Sequence, residues 1–220
     1  MQPHRAALSL AIALAALLCG VRALVASNMG FVVNCPLTAP GPGSRSGTNT
    51  LNLPYQRDAQ LLSAARLFTD LGLSNVAVMY KFLEASDGLQ FYTGRKGSAP
   101  DFALPVGDGI FIKMNASVNY VVGGSSDPQI VLSLDGPGVA HLSGTNLVGL
   151  PYHSTAHTAS ALMQDIGFAN VANVQRFVTE TDGLEIYTGR KGSPPDFPLD
   201  PCEAYFVKMN TTVNYIPSHY

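Results

Sequence analysis

An internal repeat of about 95 residues constrains the fold of this chain more than any other feature. Residues 76–120 and 171–215 share 24 identities in 45 ungapped positions. The Gly-Thr-Asn to Leu-Pro-Tyr run of residues 47–55 returns at 144–152, at an offset of 97 rather than 95. Because one copy is long enough to make one small folded unit, the sequence predicts two copies of a single module.

The repeat and the composition predict three segments along the chain. They are a leader at residues 1–26, a first module at 27–124 and a second module at 125–220. The Gly-Gly-Ser-Ser-Asp-Pro run at the boundary between the modules, residues 123–128, has the composition of a short flexible joint. We align the first strand of each copy, residues 31–33 and 130–132, by allowing a two-residue gap.

Each module is predicted to belong to the α+β class, with about six short strands in a partly closed sheet or barrel and one helix. The helix of the first copy is expected over residues 58–71, capped by Asp58 and ended by Gly72. In the second copy the expected cap is Ser154 or Thr155. Asp-Gly pairs between apolar runs predict hairpin turns. The main predicted strands are residues 76–83, 110–114 and 118–122, with counterparts at 171–178, 205–209 and 213–216.

Residues 1–26 have the three-part pattern of a secretory signal peptide. His4 and Arg5 give a positive start, residues 6–18 are almost entirely apolar, and small residues suited to cleavage follow near 23–26. A membrane span needs about 20 apolar residues, and Arg22 interrupts this one. We therefore expect a secreted, periplasmic or extracellular protein with no membrane span after cleavage.

The composition excludes several classes of protein. Hydrophobic residues make up 46% of the chain and charged residues 13%, which is enough for a core and unlike a disordered tail. Without the leader, 11 basic and 15 acidic residues remain, a net charge of about −4. This balance gives no electrostatic case for nucleic-acid binding.

A basic Thr-Gly-Arg-Lys-Gly-Ser loop occurs in both copies. It carries Arg95 and Lys96 in the first copy and Arg190 and Lys191 in the second. Its amides and cations suit a sulfate, phosphate or carboxylate, and two loops on one molecule could together bind an acidic polysaccharide or surface component. The alternative is a solvated hairpin loop with no ligand.

Two histidines four residues apart, His153 and His157, raise the question of a metal site. The first copy has Gln56 and Leu62 at these positions, and His153 precedes the expected helix cap. The pair therefore need not share a helical face. We predict no metal site and no cofactor.

No complete catalytic set emerges from the acidic residues, so we predict a protein that is not an enzyme. Asp87 and Asp182 have the pattern of turn residues, and Asp101 and Asp196 follow proline in a loop. The alternative is an exported hydrolase with a site between the modules, using a histidine of the second copy. The catalytic carboxylate of that hydrolase would be Asp108 or Glu203.

The two cysteines beyond the leader occupy positions that are not equivalent in the repeat. Cys202 stands where the first copy has Gly107. A Cys35–Cys202 disulfide and two free thiols both remain open for an exported chain. Asn115 and Asn210 fit the N-glycosylation pattern, and a duplicated pair of turn asparagines explains them equally well.

The runs Gly-Thr-Asn to Leu-Pro-Tyr, Tyr-Thr-Gly and Glu-Ala-Tyr resemble those of a tandem repeat module of secreted bacterial proteins. The resemblance covers nearly all of the chain after the leader. It implies an exported or surface-associated module and brings no catalytic residue with it. Together these features predict a secreted, non-catalytic protein for binding, adhesion or envelope structure.

Overall fold

The structure, a computed structural model, describes residues 31–55, 63–95, 99–125, 128–138 and 141–219. The predicted leader, Asp58 and Lys96 lie outside the described residues. Within the described ranges, no helix is both long and apolar enough to cross a bilayer. Residues 31–220 form one compact unit. We call residues 31–125 the first half and residues 128–219 the second half.

The described part of the chain is mostly β, with twelve strands and two helices. The first half contains β1 (Phe31–Leu37), β2 (Thr48–Asn52), α1 (Ala64–Leu71), β3 (Val76–Leu83), β4 (Gly88–Tyr92), β5 (Gly109–Met114) and β6 (Val118–Gly124). The second half contains β7 (Leu132–Leu134), β8 (Thr145–Gly149), α2 (Ala159–Ile166), β9 (Val171–Val178), β10 (Gly183–Tyr187), β11 (Ala204–Met209) and β12 (Val213–Tyr215).

The strands form two four-stranded sheets and two two-stranded sheets, all antiparallel. The larger sheets have the orders β4-β3-β5-β2 and β10-β9-β11-β8, while β1 pairs with β6 and β7 with β12. This β-rich arrangement with two helices agrees with the broad α+β prediction. None of the described sheets closes into a barrel.

The strand predictions from apolar patterning were accurate at the central hairpins. The β3 and β9 strands have the predicted bounds, and each continues into its neighbour through the predicted Asp-Gly turn. Asp87 and Asp182 adopt φ values of 49° and 54°. This left-handed conformation is one that aspartate tolerates better than most residues.

The helices begin later than predicted. In the second half Thr158, not Ser154 or Thr155, is the cap, and its hydroxyl accepts a hydrogen bond from the Ala161 amide. The two residues predicted as caps have other partners. The Ser154 hydroxyl accepts a hydrogen bond from a nearby backbone amide, and the Thr155 hydroxyl donates one to the Ser218 carbonyl.

In the first half Ser63 caps α1 and accepts from the Arg66 amide. The predicted cap, Asp58, lies outside the described residues. Gly72 follows the last residue of α1, as predicted, and Gly167 follows the last residue of α2.

The predicted gap between the first strands of the two copies was wrong. Leu37 pairs with Val118, and Leu134 pairs with Val213. These pairs give β1 and β7 an offset of 97 residues, which is also the offset between the next strands, β2 and β8. The apolar match that suggested the gap was therefore out of register.

The predicted flexible joint is shorter than its composition suggested. Gly123 and Gly124 belong to β6 and pair with Val32 and Phe31. Residues 126–127 of the joint lie outside the described residues.

An aromatic layer joins the two halves. Each half has its own apolar core, and a third cluster combines Phe111 of the first half with Leu147 and Ala204 of the second. Phe111 also makes an edge contact with Phe177, with ring centroids 5.5 Å apart. Phe82 and Phe206 make a similar edge contact, with centroids 5.3 Å apart.

Candidate functional site

Two pockets lie between the halves at positions that the sequence repeat makes equivalent. The His141 pocket has a volume of about 280 Å³, and the disulfide pocket has a volume of about 360 Å³. The His141 pocket is lined by Lys81, Glu84, Asp108, His141 and Leu147. The disulfide pocket is lined by Cys35, Thr50, Thr179, Cys202 and Glu203.

A histidine lies between two carboxylates at the edge of the His141 pocket. His141 Nε2 lies 2.9 Å from Asp135 Oδ2, and Nδ1 lies 3.3 Å from Glu84 Oε2. Nδ1 is buried and makes no hydrogen bond to the described residues, so the Glu84 contact is an ion-pair distance without hydrogen-bond geometry. We call Glu84, Asp135 and His141 the His141 cluster.

Hydrogen bonds to backbone atoms hold two residues of the cluster, Asp135 and Glu84, in place. The Asp135 amide donates to Oδ1 of Asn146, whose Nδ2 returns a bond to the Asp135 carbonyl, each at 2.9 Å. The Leu142 amide donates to the Glu84 carbonyl at 3.2 Å. This last bond crosses between the halves, so it keeps Glu84 beside the segment that carries His141.

The environment of Glu84 disfavours its negative charge. Burial raises the pKa of Glu84, and the carboxylates of Asp108 and Asp135 also raise it. His141 and Lys81 act in the opposite direction on this pKa. Lys81 is already paired with Asp108, with Nζ and Oδ2 2.8 Å apart. The pocket therefore concentrates three carboxylates around one ammonium group and one imidazole.

The disulfide pocket contains the Cys35–Cys202 bond, which the sequence left open against two free thiols. The two cysteines are buried, and their Cα atoms are 5.4 Å apart. At the positions that the repeat makes equivalent to Cys35 and Cys202, Leu132 faces Gly107. Gly107 has a φ of 90°, which favours glycine, and a Cβ atom added to it would lie 2.3 Å from Leu132 Cδ2, so that the leucine side chain would have to move.

Glu203 lies beside the disulfide and is bound to Tyr205. The tyrosine hydroxyl donates to Glu203 Oε2 at 3.0 Å. Burial raises the pKa of Glu203, while the Tyr205 hydrogen bond lowers it. No histidine lines this pocket among the described residues.

The basic loops follow the edge strands β4 and β10. Arg95, Arg190 and Lys191 are exposed, and none has an ion-pair partner among the described residues. Within the second loop the Thr188 and Ser193 amides both donate to loop atoms, at 3.0 and 2.9 Å. These two amides are therefore used within the loop, while the side-chain cations are exposed and can meet an anion.

The histidine pair that was considered for a metal does not form a helical motif. His153 and His157 both precede the α2 cap at Thr158. His153 instead packs edge-on against His219, with ring centroids 5.3 Å apart.

The remaining acidic candidates have structural partners. Asp101 and Asp196 accept hydrogen bonds from amides in the first turns of α1 and α2, at 2.8 and 3.0 Å. Although burial raises the pKa of Asp196, its hydrogen bonds lower it overall. The turn residues Asp87 and Asp182 accept from serines of the opposite half.

The two glycosylation candidates lie at equivalent turns. Asn115 and Asn210 are exposed, and each side-chain Nδ2 donates to a backbone carbonyl, at 3.2 and 3.0 Å. The turn interpretation therefore accounts for both asparagines.

Sequence reasoning missed the His141 cluster because Glu84 is far in sequence from the other two residues. A signal was nevertheless present in the repeat. The positions equivalent to Glu84, Asp135 and His141 hold Thr179, Thr38 and Ser44. All three positions change from a hydroxyl to a titratable side chain, which marks a local difference between the copies.

Comparisons with known proteins add no identity to these observations. No protein family, curated protein or solved structure matches the chain. The site must therefore be interpreted from its own geometry.

Proposed function

We propose that the protein is exported and non-catalytic, and that its basic loops bind an acidic polysaccharide or surface component. In this proposal residues 27–124 and 125–220 are tandem copies of one module. The matching strand orders of the two larger sheets support that interpretation. The leader pattern of residues 1–26 supports export. The role would be binding, adhesion or envelope structure.

The exposed cations of the two loops carry the proposal. Arg190 and Lys191 are adjacent in the second loop, and Arg95 occupies the position equivalent to Arg190. Guanidinium groups bind planar carboxylates and sulfates through paired hydrogen bonds. A polymer that spans both loops gains affinity because its second contact is intramolecular.

Binding to immobilised sulfated and carboxylated polysaccharides tests this proposal. The variant replaces Arg95, Lys96, Arg190 and Lys191 with serine. We expect it to lose binding, and we expect replacement of one loop alone to weaken affinity by about 100-fold or more. Neutral polysaccharides should not bind in either case.

Two exposed arginines outside the loops provide a matched control. An Arg45→Ser/Arg66→Ser variant loses the same charge as a single-loop variant and should keep the affinity of the original protein. Unchanged binding by the four-residue variant would contradict the proposal, and so would equal losses in the control and the single-loop variants.

The shared pocket of Asp108 and His141 favours a second candidate function. These residues come from opposite halves, as the predicted hydrolase site requires. In this alternative Asp108→Asn abolishes turnover in a screen of ester, glycoside and peptide substrates. Glu203→Gln is the control, because no histidine lines its pocket among the described residues.

A further inference from the structure

We propose that the His141 cluster binds one divalent cation of the zinc type and thereby links the two halves of the chain. The ligands are Glu84 of the first half with Asp135 and His141 of the second. This site is separate from the basic loops, and it does not depend on the proposed polysaccharide binding.

The geometry brings one ligand atom from each residue into a small volume. These three atoms all lie within 4.8 Å of one another. Around a tetrahedral zinc ion, ligand atoms at about 2.0–2.1 Å from the metal are roughly 3.3 Å apart. Because Asp135 lies at Nε2 of His141 and Glu84 lies at Nδ1, sharing one ion requires one carboxylate to turn toward the nitrogen that the other faces. The backbone bonds at Asp135 and Glu84 need not break for that turn.

The polar chemistry of the cluster also favours a cation. His141 Nδ1 is a buried nitrogen with no hydrogen-bond partner among the described residues, although Glu84 Oε2 is 3.3 Å away. Burying a polar atom without a partner costs free energy, and coordination would remove that cost. A cation would also relieve the repulsion between the Glu84 and Asp135 carboxylates.

The chemical types of the three ligands favour some metal ions over others. One imidazole with two carboxylates suits zinc and similar transition metals, with a water in the fourth position. Calcium takes six to eight oxygen ligands, which these three residues do not supply. Lys81 is the nearby opposing charge, and its pairing with Asp108 reduces that opposition.

The equivalent place in the disulfide pocket has the same backbone bonds without the ligands. The Thr38 amide donates to Asn49 Oδ1 at 2.9 Å, and the Arg45 amide donates to the Thr179 carbonyl at 2.9 Å. The backbone arrangement therefore does not require titratable side chains. Their presence on one side alone indicates a ligand rather than a structural need.

Calorimetric titration of the purified protein with Zn²⁺ tests the proposal. We expect one equivalent to bind, and millimolar Ca²⁺ not to displace it. Glu84→Gln and Asp135→Asn keep the side-chain shape, and His141→Ser introduces the residue found at position 44. Each should weaken Zn²⁺ affinity by at least about 100-fold, since losing a residue that merely orients a metal ligand costs about 10–100-fold.

The contact between His153 and His219 offers the main competing zinc site, so His219→Asn is the matched control. It should bind Zn²⁺ as the original protein does. Thermal unfolding without metal checks that each variant folds, and Zn²⁺ should raise Tm only where the cluster is intact. Absence of Zn²⁺ binding, or equal affinity in the original protein and both isosteric variants, would overturn the proposal.

Discussion

The two sides of the contact between the halves use different chemistry at equivalent positions. On one side Cys35 and Cys202 form a covalent bond between the halves. On the other side Leu132 packs over Gly107, and the His141 cluster lies nearby. The aromatic layer, with Phe111 near its centre, lies between these sides and involves both halves.

The two sides share a backbone arrangement but place different side chains on it. The backbone amide of Asn52 donates to the Cys202 carbonyl at 2.8 Å, and the backbone amide of Gly149 donates to the Gly107 carbonyl at 2.9 Å. These bonds recur on both sides, whereas the residues that fill the space beside them differ. One side is linked covalently, and the other provides the carboxylates and imidazole for a cation.

The largest effect should come from removing the covalent link. A Cys35→Ser/Cys202→Ser variant should lose about 2–5 kcal/mol of unfolding free energy, because the bond closes a long loop in the unfolded chain. Denaturant unfolding measures this loss, and treating the original protein with reductant should reproduce it. An unchanged midpoint after verified reduction would contradict this contribution of the disulfide to stability.

A smaller loss of unfolding free energy is expected when Gly107, on the side opposite the disulfide, is replaced by alanine. Gly107→Ala places a side chain at φ 90° and brings its Cβ into Leu132, so we expect a loss of about 1–3 kcal/mol. Gly43→Ala is the control, since its φ of 89° matches that of Gly107 and no atom lies within 4 Å of its added Cβ. Similar unfolding midpoints for the two variants would contradict the close-contact explanation.

The smallest effects are expected at two carboxylates in equivalent positions, Glu203 and Asp108. Burial raises the pKa of Glu203 above 4.5, so its contribution to stability is present below pH 4.5 and is lost as pH rises through the folded-state pKa. Glu203→Gln should therefore raise Tm at pH 7, by at most about 2 °C, and leave it unchanged near pH 4.

Asp108→Asn is the counterpart at the equivalent position. It breaks the ion pair with Lys81 and should lower Tm slightly at pH 7, since a partly exposed pair contributes about 1 kcal/mol or less. Thermal scans across this pH range would contradict the comparison if both variants shifted Tm in the same direction.

Local patterning predicted the parts of the fold that depend on neighbouring residues. The β3 and β9 strands and their Asp-Gly turns follow from apolar alternation and from the conformations that aspartate tolerates. The predicted start of α2 was wrong because several hydroxyl residues compete for the cap. At α2 the choice falls on Thr158, whose neighbours Ser154 and Thr155 bond elsewhere.

The site depends on contacts that periodicity does not encode. Glu84 meets Asp135 and His141 only because the two halves pack together, and the Leu142 amide then holds Glu84 in place. The Cys35–Cys202 pairing likewise needs a contact across 167 residues. The basic loops were visible from composition, but the internally bonded amides of the second loop were not.

X-ray diffraction at the zinc absorption edge, from crystals grown with Zn²⁺, is the decisive test of the cation site and of its absence from the disulfide side. The central claim is that equivalent positions of the repeat have acquired different chemistry, a disulfide on one side and a cation site on the other. It predicts an anomalous peak bounded by Glu84, Asp135 and His141, and none beside Thr38 and Thr179. A peak only between His153 and His219, or no peak at the His141 cluster, would contradict it.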